Sequence, residues 1–71
     1  MANEVERGTG TVKCYYPLKG FGFIQRQRGR DVFFFRTDAS SEQILYDGAI
    51  VSFIVRTEAK GPRAFEIIRT G

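Results

Sequence analysis

Turn signals interrupt this chain so often that no long helix fits between them. Pro17 to Gly20, Arg28-Gly29-Arg30, Asp47-Gly48 and Lys60-Gly61-Pro62 each combine residues that favour tight reversals. The runs between them are short and rich in Val, Ile, Thr, Phe and Tyr, which suit a pleated surface. They predict strands over residues 10–16, 21–26, 31–36, 49–58 and 63–69. Five short strands without a helical layer predict an all-β fold, a small closed or nearly closed barrel. Only Thr37 to Tyr46 departs from the pattern. Ser40 precedes Gln43 at the spacing of a capping box, which predicts one helical turn there. At 71 residues the chain reads as a single domain, residues 1–71, with a thin stability margin.

Alternation assigns faces, because successive side chains on a strand point to opposite sides. Val51, Phe53 and Val55 share one side of the fourth strand, against Ser52 and Arg56, with Ile54 outward. Phe21 and Phe23 oppose Gly22 and Ile24, and Phe33 and Phe35 oppose Val32 and Phe34. Only one side of each strand can face the interior. Val12, Ile24, Val32, Phe34, Val51, Phe53 and Ile67 make a consistent core, which leaves Phe21, Phe23, Phe33 and Phe35 outside together. The inverted assignment would expel Ile24, Val32 and Phe34 instead. A contiguous exposed apolar patch marks a binding surface. Gly20 and Gly22, without side chains, are expected to let a ligand approach these rings.

Charge points to the kind of ligand. Between Lys13 and Arg36 stand six positive residues and one acid, so that this segment carries +5 while the rest of the chain carries −2. Pooled positive charge is the footprint of a polyanion partner, although an arginine-rich solvated loop would look the same. Flat rings amid cations suit unpaired bases, each of which offers a face to stack and a phosphate nearby.

The segments GTVKCYYPLKGFGFIQRQRGRDVFFF, GAIVSF and KGPRAFEI together resemble the cold-shock domain family, from about Gly10 to Ile68. KGFGFI is similar to the first ribonucleoprotein motif of that family, and VFFF occupies the place of the second. RRM domains carry related motifs, but in the opposite order and with two helices for which this chain has no room. The resemblance implies a five-stranded antiparallel OB-fold barrel that binds single-stranded RNA or DNA on an aromatic face. It implies stacking roles for Phe21, Phe23 and Phe33, and basic contacts from Lys13 and Lys19. Asp31 falls at an acidic position near the base edges. Lys60 to Arg63 falls at a turn that also touches nucleic acid, with Arg63 where glutamine is common.

The chain also departs from the family. Cys14 stands where a stacking tryptophan is usual, and Tyr15-Tyr16 replaces Phe-Asn. Phe35 replaces a histidine and Arg36 a phenylalanine, while the loop from Thr37 to Leu45 is shorter and lacks a distal phenylalanine. Phe35 and Tyr16, the latter on the same side as Cys14, are expected to supply replacement surfaces. Arg36 can stack its guanidinium plane on a base, and Arg26, Arg28 and Arg30 can extend the electrostatic groove.

The function expected is therefore single-stranded nucleic-acid binding, as an RNA chaperone or a regulator of transcription or translation, tolerant of pyrimidine sequence. The alternative is a divergent barrel that uses the same face as a protein-interaction module. Catalysis is not expected, because the chain has no His, no suggestive carboxylate pair and no metal cluster. Gly20-Phe21-Gly22 lacks the third glycine of a dinucleotide loop, and there is no Walker motif. No cofactor is expected. Cys14, the single cysteine, cannot form an internal disulfide and is expected to be a small exposed thiol. The start Met-Ala-Asn-Glu-Val-Glu-Arg lacks a basic region followed by an apolar run, so no signal peptide is expected. The longest apolar runs are only a few residues, so no membrane span is expected. A cytoplasmic monomer is the expected state, with a swapped or cysteine-linked dimer as the alternative.

Overall fold

Short β-rich runs can bury an apolar face only by pairing, and with five of them the sheet closes on itself. A computed structural model describes residues 7–71. The signal-peptide reading of residues 1–6 lies outside the described residues. Five strands appear, β1 (Arg7–Tyr16), β2 (Phe21–Gln25), β3 (Val32–Phe35), β4 (Ile50–Glu58) and β5 (Gly61–Arg69). They form a closed barrel in the order β1-β2-β3-β5-β4, in which β4 returns to pair with β1. Four pairings are antiparallel and the closing one, β3 with β5, is parallel with Phe33 opposite Arg63. β1 begins earlier and β5 begins two residues earlier than the sequence suggests, because the strand periods continue into Gly-containing stretches that lack apolar residues.

The core contains every residue assigned to it by alternation except Val55. Val12, Ile24, Val32, Phe34, Val51, Phe53 and Ile67 are all essentially inaccessible. Val55 packs against this cluster from a half-buried position. Leu45, Ala49 and Ala64 join the core as well, Leu45 and Ala49 from the connection between β3 and β4. That connection is not one helical turn but two 3-10 turns, Arg36–Asp38 and Glu42–Ile44. Ser41, not Ser40, supplies the cap, since its Oγ accepts the Gln43 N–H at 3.1 Å. Among the described residues, no helix is long and apolar enough to cross a membrane.

Two irregularities set which side chains reach the outside. The register of β1 against β2 slips between Val12 and Cys14, so that Val12 faces inward opposite Ile24 while Cys14 lies opposite Phe23. Lys13 takes the extra place and points to solvent. A bulge of this kind adds a residue to one strand and re-aims the side chains after it. A second slip, between Ser52 and Ile54, pairs with the left-handed backbone of Glu66 (φ 52°) on β5.

Candidate nucleic-acid interface

The outer faces of β1, β2 and β3 carry a continuous chain of rings. Tyr16 lies opposite Phe21, Phe21 opposite Phe35, and Phe23 opposite Phe33. Paired residues in an antiparallel sheet project to the same side, and the ring spacings follow from that. Ring centroids stand 5.3 Å apart for Tyr16 and Phe21, 5.6 Å for Phe21 and Phe33, 5.7 Å for Phe23 and Phe33, and 4.7 Å for Phe33 and Phe35. All four contacts are tilted or edge-on, the geometry aromatic pairs favour over a face-to-face sandwich. Tyr16 and Phe35, at two margins of the patch, are the most exposed, whereas Phe21, Phe23 and Phe33 are half-buried.

Gly22 does not serve the face as expected. It is buried and points inward, and a Cβ there would lie 2.7 Å from the Phe34 ring and collide with the Cys14 carbonyl. Its missing side chain is the space that admits Phe34 to the core. Gly20 has a left-handed φ of 76° that closes the β1–β2 turn, and its bare Cα faces the Arg36 guanidinium. Cys14 is half-buried beside Phe23, less open than the exposed thiol expected. The thiol's neighbourhood and partial burial hold the Tyr16 phenol above the usual tyrosine range.

The cations frame the rings on several sides. Lys19 is exposed in the turn that follows Tyr16, next to a fully exposed Leu18. Arg28 and Arg30 are exposed in the loop leaving β2 at its Phe23 end. Lys60 sits on the β4–β5 turn and, with Pro62, borders a groove of about 600 Å³ whose floor includes Phe23, Phe33 and Phe35. Among the described residues, no ion pair engages Lys19, Arg28, Arg30 or Lys60. Lys13 is different, since its Nζ donates to Asp31 at 2.9 Å, and this bond raises its pKa above the ordinary lysine range. The two residues expected to meet nucleic acid separately are thus one charge pair.

Two further cations are also engaged within the protein. Arg36 donates from Nη1 to the Pro17 carbonyl at 3.3 Å and stands 3.7 Å from Glu42, over the turn at the Phe21 end. Arg63 donates from Nε and Nη2 to the two oxygens of Asp38, at 3.2 and 3.0 Å, with Glu58 3.7 Å from Nη1. Its guanidinium lies over both Phe35 and Phe65, 4.5 and 4.4 Å from their centroids. Asp38 and Glu58 are not expected from sequence, because nothing local to either residue marks it as the partner of an arginine on β5.

What this surface offers chemically is flat apolar area for stacking, free ammonium and guanidinium groups around it, and one groove. A model of the "Cold-shock" DNA-binding domain family matches residues 8–70. The chain is 43% identical over 63 residues to the cold shock protein CspV of Vibrio cholerae serotype O1, an overlap of 84% of this chain and 90% of that protein. It is 42% identical over 60 residues to the cold shock protein CspC of Bacillus subtilis, covering 82% of this chain and 91% of that one. Among solved structures it resembles Drosophila Unr CSD456, with a TM-score of 0.79 and 23% identity. That superposition covers 94% of this chain and 28% of the other, and it speaks to the fold.

Proposed function

The chain belongs to the cold-shock DNA-binding domain family, and from that premise we propose that it binds single-stranded RNA or DNA by stacking bases on its outer aromatic face. The observation that carries this reading is the unbroken ring chain Tyr16-Phe21-Phe33-Phe35, with Phe23 beside it, on one side of the barrel. Bases stack on Phe21, Phe23, Phe33 and Phe35, while Lys19, Arg28, Arg30 and Lys60 hold phosphates along the margins. Every base has a π face, so recognition of this kind tolerates sequence and accepts pyrimidines.

The same geometry discriminates against duplexes. In a paired helix the base faces are already stacked, so the rings have nothing to receive. Binding free strands in preference to duplexes shifts weak hairpins toward the open form without nucleotide hydrolysis, which is what an RNA chaperone or a hairpin-dependent regulator requires. A monomer in the reducing cytoplasm, where Cys14 stays a thiol, fits this role.

Anisotropy titration of a labelled pyrimidine-rich strand, with and without its annealed complement, tests the proposal. The single strand is expected to bind at least about tenfold more tightly, a difference of about 1.4 kcal/mol. Equal affinity for the duplex would overturn stacking as the mode. No binding to either at low salt, with a protein partner retained on the same face, would favour the protein-interaction role.

A further inference from the structure

Arg63 commits two of its five N–H donors to Asp38 and faces Glu58 with its remaining terminal nitrogen. Asp38, in the 3-10 turn that follows Phe35, has a side chain only 8% exposed. Its Oδ2 accepts the Phe35 backbone N–H at 2.9 Å as well as Arg63 Nε, and its Oδ1 accepts Arg63 Nη2. The carboxylate therefore ties the backbone of Phe35 to the guanidinium that covers the Phe35 ring. The fork geometry of this pair fixes the guanidinium plane as well as its position. Arg63 itself is anchored at the parallel seam, where it pairs with Phe33.

The electrostatics of the cluster oppose a phosphate contact. Asp38 and Glu58 place two carboxylates directly against Arg63, although Lys60 borders the same groove and Arg56 pairs with Arg63 across the β4–β5 ladder. A phosphate approaching Arg63 meets these two carboxylates and a fork already occupied at Nε and Nη2. Phe35, meanwhile, needs support. It ends β3, it is 40% exposed, and Phe33 meets it edge-on at 4.7 Å. A marginal ring with free rotamers loses side-chain entropy when a base stacks on it, and fixing it beforehand removes that cost.

We propose that Arg63 and Asp38 are positioning residues that clamp Phe35 as a preorganised stacking platform, and that Arg63 does not bind phosphate. The inference rests on the reading of the outer face as a single-strand binding surface. The guanidinium covers one face of the ring, the carboxylate fixes guanidinium and backbone together, and the 40% of Phe35 that remains exposed is the area offered to a base.

The test separates a clamp from a phosphate contact. Affinity for a fluorescein-labelled oligo-dT strand is measured over a range of salt for wild type, Arg63→Lys, Arg63→Gln, Asp38→Asn and Phe35→Ala. Thermal melts establish the folded fraction of each. A clamp predicts that Arg63→Lys and Arg63→Gln weaken binding alike, by about 5- to 10-fold, because lysine keeps the charge but not the fork. It predicts weaker binding for Asp38→Asn as well, an unchanged salt slope in all three, and no added effect of Arg63→Gln in the Phe35→Ala background. Full affinity in Arg63→Lys, a slope reduced by about 0.7 in Arg63→Gln, or tighter binding in Asp38→Asn would overturn it. Aromatic NMR relaxation on the free protein isolates the clamp from the binding reading. Phe35 is expected to be ordered in wild type and mobile in Arg63→Lys and Asp38→Asn. An equally ordered ring in these variants overturns the clamp, whereas a wild type that binds no oligonucleotide overturns the binding reading and leaves ring order to decide the clamp.

Discussion

Cys14 occupies the place on the aromatic face where a ring is missing. It lies opposite Phe23 on the side that carries Tyr16, where the family resemblance implies a tryptophan. A stacked base contributes about 1–3 kcal/mol, so Cys14→Trp is expected to tighten binding to a pyrimidine strand by about 5- to 150-fold. An isothermal titration would show it, and unchanged affinity would mean that no base passes Cys14. The rings themselves are legible in the sequence, because alternation alone separates Phe34 from Phe33 and Phe35. Gly22 is not, since alternation gives its side but not the Phe34 ring that fills the space. The engagement of Arg63 is hidden for a related reason. Its partner Asp38 is 25 residues away, and only the closure of β3 against β5 brings them together.

The connection between β3 and β4 acts as a plug, an arrangement that short 3-10 turns hide from sequence reading. Leu45 follows the second turn directly and reaches the core with 5% exposure, and Ile44 packs beside it. Removing such a side chain costs about 2–5 kcal/mol, a large share of the roughly 5–15 kcal/mol that holds a domain together. Leu45→Ala is therefore expected to lower the melting temperature by roughly 10 °C or more while leaving the affinity of the folded protein intact. A melt within a degree or two of wild type would contradict the plug. Tyr15 fastens the same connection to β1, donating to Glu42 Oε2 at 2.8 Å and packing on Phe34. Burial, then this bond, hold its phenol above the ordinary tyrosine range. The raised pKa means that the contribution is complete below the free-tyrosine value of about 10 and disappears as pH rises through the folded value. The alkaline step of an absorbance titration should accordingly be smaller by one tyrosine in Tyr15→Phe, with the raised step of Tyr16 retained. The strand periods are plain in the sequence, but the parallel β3–β5 seam is not, because hydrophobic pattern carries no information on which strands meet.

Across the whole molecule, the modest charge of +3 understates how it is distributed. Lys19, Arg28, Arg30 and Lys60, which have no acidic partner among the described residues, stand around the rings, while Lys13, Arg36 and Arg63 are paired. The chain also has no histidine, the side chain that ordinarily changes charge near neutrality. Affinity is therefore expected to be flat between about pH 5.5 and 7.5, and isotherms that diverge across that range would point to a titrating group in the site. The division of labour between rings and free cations is the central claim, and one experiment reaches it directly. The affinity of a labelled pyrimidine strand is measured against salt for wild type, Phe33→Ala and Lys60→Gln. Phe33→Ala is expected to lose about 5- to 150-fold with its log–log salt slope unchanged, and Lys60→Gln to reduce that slope by about 0.7. Binding that ignores both salt and the loss of Phe33 would contradict the account.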